Sequence, residues 1–435
     1  MILSVSGFRG IVGLDLNPIE LMRIAKLFGN YINGSCAIGR DTRKSSIMIS
    51  KVVIAGLLNA NCNVIDFGIL STPALFKEVS RRGLEGGLMI TASHNPPEWN
   101  GLKFIVKGRG IFEEELNDIL KLNSNLSLKF GTYSKSSSRY IYDLISYIGK
   151  DSCLGIKLSL DLGGGAGSLL IPKLFKEIGC NVLTINDSPG IFSRIIDPIE
   201  DNLKYLSEMV LKNGFNAGFA YDCDADRVAI IDDKGRKLPA DFTLILCLKY
   251  LMEKIGLREV VVSVDTSMAL EDIVNEFGGK VYYSKVGEAN VVKEMMKRNC
   301  RLGGEGSSGG LIVSDFVMCR DGALASALIS KMIKQEGQLS DLIKHLPHYH
   351  QIRNKIHCSK EDAERIISIL AQEHNDFDTK DGIKIKKKDS WILIRPSRTE
   401  ELLRISVEAK SKDTAEDIMG YYLRRIKSIM SDHNE

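Results

Sequence analysis

The sequence predicts an α/β protein of several domains, and three observations carry that prediction. A strand, a polar loop, an amphipathic helix and a second strand follow one another over Ser35–Gly68. The same order returns from Lys157 and again from Val260, roughly a hundred residues apart each time. The last segment, from about His357, has a different rhythm of helix, strands and a closing amphipathic helix over Thr414–Met430. A chain of 435 residues also exceeds one hydrophobic core, since domains usually hold ~100–200 residues. The expected organisation is three related α/β domains at residues 1–135, 136–240 and 241–350, followed by a C-terminal α+β domain at 351–435.

Composition narrows the function. The chain is 44% hydrophobic and 26% charged, as in a soluble globular protein. A net charge of +3, with no basic run and no aromatic-basic interleaving, argues against nucleic acid as a partner. No apolar run reaches the ~18 residues of a membrane span. The N-terminus lacks the basic-then-apolar order of a signal peptide. Nine scattered cysteines without a CxxC pair suggest reduced thiols in a cytoplasmic protein.

In chain order, Ser6-Gly7-Phe8-Arg9-Gly10 comes first. Its glycines allow close backbone approach to an anion, which Arg9 can reach; a surface turn reads equally well. The first α/β unit then runs through Gly39-Arg40-Asp41-Thr42-Arg43, a helix over Ser46–Asn59 and a strand to Gly68. Thr91-Ala-Ser-His-Asn-Pro-Pro-Glu-Trp-Asn-Gly-Leu-Lys103 follows an apolar strand. Asn95-Pro96-Pro97 keeps a helix from starting at once, so Ser93 sits in a strand-to-loop transition. There it is either a turn cap or a nucleophile presented to a cleft. The serine-rich stretch Ser134–Ser138 reads as the linker to the second unit. The glycine run Gly163–Gly167 lacks the Lys-Ser/Thr of a P-loop and the spacing of GxGxxG, and reads as a structural strand-to-helix turn.

The second strong signal is Asp222-Cys-Asp224-Ala-Asp226-Arg227, followed by the strand Val228–Ile231. In extended backbone, period two points all three carboxylates the same way. At ~4 Å and an effective dielectric near 20, each like-charged pair costs roughly 4 kcal/mol. A divalent cation removes that cost, and oxygen-only ligands select Mg²⁺ or Ca²⁺ over zinc. An EF-hand would need glycine at its sixth loop position and glutamate at its twelfth, where this chain has Arg227 and Asp233. A solvated acidic turn is the plain alternative.

Two further loops bear polar donors and acceptors. In Gly304-Glu305-Gly-Ser307-Ser308-Gly309-Gly310, Glu305 can accept hydrogen bonds from sugar hydroxyls and Ser307 can add one. Arg320-Asp321, just beyond, reads as a structural ion pair. In Arg395-Pro-Ser397-Arg398-Thr399-Glu-Glu401-Leu-Leu-Arg404, Arg395, Ser397, Thr399 and Arg404 offer guanidinium and hydroxyl donors suited to a phosphate dianion.

Together the motifs resemble those of the α-D-phosphohexomutases, and they span nearly the whole chain. The Ser93 loop is similar to that family's active-serine loop, and Asp222–Arg227 to its Asp-Gly-Asp-Ala-Asp-Arg metal loop with Cys223 in place of glycine. The Glu305 loop is similar to its sugar loop, commonly Gly-Glu-x-Ser-Gly-His, but Gly309 is an altered position, the histidine is absent and the stretch is closer to a Gly-Glu-x-Asn-Gly-Gly form. The Arg395 loop is similar to its Arg-Pro-Ser-Gly-Thr-Glu-Pro phosphate loop, with Arg398 and Glu401 replacing glycine and proline. The resemblance implies four domains around a central cleft and an isomerase that shuttles a phosphoryl group between C6 and C1 of a hexose phosphate. It implies Ser93 as the phosphoserine, Mg²⁺ held by Asp222, Asp224, Asp226 and a phosphoserine oxygen, and a sugar 1,6-bisphosphate as intermediate and activator. Lys103 becomes the candidate general acid/base, or else a phosphate counter-ion, and His94 and Arg227 orienting groups. Arg9, Glu305, Ser307, Arg395, Ser397, Thr399 and Arg404 become substrate ligands. Glucosamine phosphate is the favoured sugar, with mannose and glucose phosphates open. A noncatalytic phosphosugar-binding protein and a phosphatase are the rivals. Oligomeric state is not legible.

Overall fold

In the computed structural model, residues 2–4, 7–122, 129–397 and 401–431 are described. Three units of the chain build the same small sheet. In each, a helix links the first strand to a parallel neighbour, and a second helix returns the chain to the first strand's other side. A hairpin then adds a fourth, antiparallel strand. These strands are Ser35–Arg40, Asn63–Ile69, Gly86–Ile90 and Trp99–Val106 in the first unit. They are Lys157–Asp161, Asn181–Ile185, Ala217–Tyr221 and Val228–Asp232 in the second, and Glu259–Ser263, Lys280–Ser284, Leu302–Glu305 and Gly310–Val313 in the third. Parallel neighbours require a crossover, which the amphipathic helices supply. Strands covered by helices on both faces are apolar throughout, as Gly86–Ile90 and Ala217–Tyr221 are.

The first unit is extended at both edges. Ile2–Ser4 and Gly7–Ile11 continue the sheet beyond Trp99–Val106, and Tyr133–Lys135 pairs with Asn63–Ile69. Ser134 and Lys135, in the stretch read as a linker, therefore belong to an edge strand. Ser136 and Ser138 just beyond it are hydrogen-bonded to Arg82 and Glu78. The Gly163–Gly167 run is a tight turn, with φ of +54° at Gly163 and +65° at Gly164. A Cβ on Gly164 would lie 2.1 Å from the carbonyl oxygen of Ile191, so the run is filled by protein backbone. One hydrophobic cluster passes through all three units, including Leu75, Phe76, Leu144, Phe175, Phe219, Leu246 and Leu328. All nine cysteines are buried free thiols. No helix among the described residues is long and apolar enough to cross a membrane.

The fourth domain is an antiparallel sheet in the order His350–His357, Leu402–Ala409, Ser390–Pro396, Ile383–Lys387. Ile392, Ile394, Ile405 and Val407 pack with Ile366 and Ile426, which belong to the helices Lys360–Gln372 and Lys412–Ser431. The other face docks on the third unit, where Trp391 and Leu393 pack on Val264 and Met268. Glu408 fixes this joint. It accepts hydrogen bonds from Trp391 Nε1 (2.7 Å), Gln351 Nε2 (3.1 Å) and the backbone N–H of Met268 (2.7 Å), which opens the helix Met268–Glu276.

Lys384 sits at the same joint. Its ammonium donates to Val264 O at 2.5 Å and lies 4.5 Å from the Trp391 ring and 5.1 Å from that of Tyr283. Burial pushes it down to about 8, against the opposing pull of Asp265, Glu408 and Glu271 and with a small contribution from Lys386. The folded value lies below the ordinary 10.5, so the unfolded chain binds the extra proton between these limits and stability rises with pH across that window. Below pH 8 the full penalty applies, at most about 3 kcal/mol. Lys384→Met should therefore raise the melting temperature at pH 7 and flatten the rise between pH 8 and 10.5. Parallel melting-temperature curves for parent and variant would remove Lys384 from this account.

Candidate active site

The hairpin joining the third and fourth strands falls at the same place in each unit. In the first unit it carries Ser93, in the second Asp222–Asp226, in the third Gly306–Gly309. The fourth domain adds the turn between Ser390–Pro396 and Leu402–Ala409. Each of the first three loops turns through one left-handed residue: Ser93 (φ +53°), Ala225 (φ +56°) and Gly309 (φ +64°). All four units contribute to the wall of a cleft with a cavity of about 580 Å³, which Arg9, Lys103, Arg227, Glu305, Arg395 and Arg404 line.

Ser93, next in sequence to the cleft-lining His94, is fully buried, and its Oγ donates to Asp222 Oδ2 at 2.9 Å. A serine in the left-handed region stores strain, which persists only where neighbours over-determine the loop. Arg43 does this. Fully buried and paired with Asp41 (3.0 Å), it donates to Ser93 O (2.8 Å), Asn95 O (2.7 Å), Trp99 O (3.2 Å) and Pro96 O. The sequence marks the polar run Arg40–Arg43 at a strand end, but not which loop Arg43 holds.

Asp222, Asp224 and Asp226 present ligand atoms within 4.8 Å of one another, all buried. Burial, and then the charges of Asp226 and Asp224, push the Asp222 carboxyl well above the carboxylate range. Asp224 Oδ1 and Asp226 Oδ1 have no hydrogen-bond partner among the described residues. Two orphaned carboxylate oxygens, hard donors only and the Ser93 hydroxyl alongside fit a divalent cation such as Mg²⁺. Around them, Lys103 Nζ lies 2.6 Å from Asp224 Oδ2 and 2.8 Å from Asp226 Oδ2. Burial lowers the Lys103 pKa, but the two carboxylates outweigh it and hold the group as an ammonium. Thr72, first residue of the helix Thr72–Arg82, donates its N–H to Asp224 O (2.9 Å) and its hydroxyl to Asp224 Oδ2. Cys223, in the glycine position, points away from the ligands, and its Sγ lies 3.7 Å from Thr42 Oγ1.

Arg320 joins this loop to the Glu305 loop. Its guanidinium lies 2.9 Å from Asp226 Oδ2, 2.9 Å from Glu305 Oε2 and 3.2 Å from Glu288 Oε2, and donates to Ser308 Oγ at 3.1 Å. The expected Arg320–Asp321 pair does not form. Asp321 instead caps the helix Gly322–Glu336 and accepts the Tyr140 hydroxyl at 2.7 Å. The Glu305 carboxylate also accepts Gly287 N–H at 2.7 Å, so both its oxygens have a protein partner. Ser308 is tied into its own loop through Glu305 O and Arg320, whereas Ser307 lines the cleft with its hydroxyl uncommitted among the described residues.

Other expected groups surround the cavity. Arg9 donates to Asn95 Oδ1 at 3.2 Å, and Arg227 pairs with Asp197 at 2.9 Å. His94 is half-buried, with Nδ1 unpartnered among the described residues; burial, then Arg227 and Arg9, depress its pKa well below the ordinary value and keep the imidazole neutral. Arg395 and Arg404 stand opposite each other on adjacent strands, and Ser397 follows, its N–H donating to Leu402 O at 2.8 Å. Thr399 and Arg398 lie outside the described residues, as does Ser6.

The chain matches the four domain families described as phosphoglucomutase/phosphomannomutase. Their α/β/α domains I, II and III match residues 1–128, 138–235 and 239–349, and the C-terminal domain matches 355–421. The phosphoglucosamine mutase of Methanococcus maripaludis is 33% identical over 99% of this chain and 100% of its own. The chain belongs to this family. The phosphoglucomutase/phosphomannomutase of Thermococcus kodakarensis is 35% identical, over 98% of each chain. A solved phosphoglucomutase/phosphomannomutase family protein of Burkholderia thailandensis superposes with a TM-score of 0.89 at 22% identity, over 99% of this chain and 97% of its own, and shares the fold. The architecture is thus α/β, with three related domains and a C-terminal α+β domain around a central cleft.

Proposed function

We propose that this chain is a phosphohexomutase that moves a phosphoryl group between C6 and C1 of a hexose phosphate, with glucosamine phosphate as its sugar. One observation carries the reading. A strained, buried serine hydroxyl is hydrogen-bonded to a three-aspartate cluster, and the residues next to them in sequence, His94 and Arg227, line a cleft that Arg395 and Arg404 also line.

The resting enzyme carries the phosphoryl group on Ser93 Oγ. A free sugar hydroxyl attacks phosphorus, the P–Oγ bond breaks as the new P–O bond forms, and a 1,6-bisphosphate results. After the sugar turns over, Ser93 Oγ attacks the other phosphate and the isomer leaves. Asp222, Asp224 and Asp226 hold Mg²⁺, which when bound offsets charge on the transferring group. Lys103 and the neutral His94 stand where a hydroxyl proton must be held or moved, and Lys103 also serves as counter-ion. Arg395, Ser397, Thr399 and Arg404 anchor the phosphate that is not reacting, so a sugar binding in two orientations keeps one fixed end.

Glu305 and Ser307 meet the sugar hydroxyls. Asp265 also lines the cleft and has no ion-pair partner among the described residues, so a cationic 2-amino group would meet a carboxylate there. Identities of 33% and 35% to relatives named for different sugars leave that choice to the site. The test is isomerisation of glucosamine-6-, mannose-6- and glucose-6-phosphate side by side, with Mg²⁺ and a trace of sugar bisphosphate. Glucosamine-6-phosphate should turn over fastest, and chelation of Mg²⁺ should stop all turnover. Release of inorganic phosphate without isomer would make the protein a phosphatase. No reaction from protein phosphorylated at Ser93 would make it a binding protein.

A further inference from the structure

The fourth domain's sheet carries three residues in one row at its cleft end. Lys355 is paired with Arg404, and Arg404 with Arg395, across three adjacent antiparallel strands. Residues directly opposite in such strands share a face, with Cβ atoms about 4.5–5.5 Å apart. The alternating residues settle which face. Leu403, Ile405, Ile352 and Ile356 point into the core under the helices, so Lys355 and Arg404 point the other way. Towards the third unit that face carries the buried Gln351–Glu408–Trp391 row, two rungs from the cations. Lys355, Arg404 and Arg395 all line the cleft.

We propose that Lys355 is the third cation of the phosphate clamp. Like charges directly opposite one another destabilise a sheet, and a phosphate dianion seated over the row reverses that sign. Lys355 is exposed, and its ammonium makes no hydrogen bond or ion pair among the described residues, so it is available to a ligand. Its flexible stem and rotatable donors suit it to close on a phosphate that the two guanidinium forks have already oriented. The proposal rests on the mutase reading only for which phosphate arrives. Because the clamp holds the unreacting end, Lys355 binds ground state and transition state alike, and its loss falls on KM and not on kcat.

The experiment compares Lys355→Gln, Lys355→Arg and Arg404→Ala with the parent. It measures KM and kcat for the best hexose 6-phosphate, and calorimetric binding of inorganic phosphate at two ionic strengths. Lys355→Gln should raise KM and the phosphate Kd roughly five- to tenfold, hold kcat within about twofold, and weaken the salt dependence of phosphate binding. Lys355→Arg should restore most of the affinity. A Lys355→Gln variant matching the parent in phosphate Kd, while Arg404→Ala weakens binding, would overturn the proposal. So would a parent that binds no phosphate. If no sugar is isomerised yet phosphate binding still depends on Lys355, the mutase reading fails and the clamp assignment stands.

Discussion

Ser93→Ala should lower mutase turnover by about four orders of magnitude or more, and should abolish labelling of the protein by a sugar bisphosphate. In the proposed mechanism the Oγ carries the transferred phosphoryl, and no other serine or threonine hydroxyl among the described residues donates to Asp222. Removing it also removes a donor from a buried carboxylate, so folding must be judged separately. The backbone supplies the control. At φ +53°, Ser93 occupies a conformation that glycine adopts freely and alanine does not. Ser93→Gly should therefore be no less stable than Ser93→Ala, and both should be equally inactive. Wild-type-like turnover by either folded variant, measured with bisphosphate present, would end the phosphoserine assignment.

How much of this was legible in the sequence depends on distance along the chain. The helix Ser46–Asn59 and the strands around it follow from local periodicity, and the structure places them as read. The aspartate loop is legible because its carboxylates repel within five residues of backbone. The repeated strand–helix–strand order is legible too. That the three loops occupy one equivalent hairpin is not, since it depends on a fourth strand whose antiparallel pairing leaves no local mark. Arg43, Thr72 and Arg320 escaped for the same reason: each acts on a loop that follows it or lies in another unit. The Arg320–Asp321 pair failed because adjacent residues in extended backbone point to opposite sides, one into the cleft and one into the core. Lys355 joins the cation row through strand register, which pairs it with a residue far down the chain.

Arg320→Ala should be the most damaging change outside the serine and metal loops. One buried guanidinium is shared by Asp226, Glu288 and Glu305, and burial already pushes Glu288 up from the ordinary glutamate value. Breaking a buried pair by deleting one partner costs about 3–5 kcal/mol, because the charge left behind is uncompensated. Here two carboxylates, Glu288 and Glu305, are left, while Asp226 keeps Lys103. The melting temperature should fall by several degrees, and the activity that remains should need more Mg²⁺ and more sugar phosphate together, since the same side chain holds both loops. Arg320→Lys keeps the charge but not the fork that reaches all three partners, and should fall between alanine and the parent. Glu288→Gln offers the discriminating arm. In the Arg320→Ala background it removes one stranded carboxylate, so it should restore part of the stability, while in the parent it should cost some. Additive effects of the two substitutions would mean that Arg320 does not pair with Glu288, and a rise in the sugar requirement with Mg²⁺ dependence unmoved would mean that Arg320 does not couple the two loops.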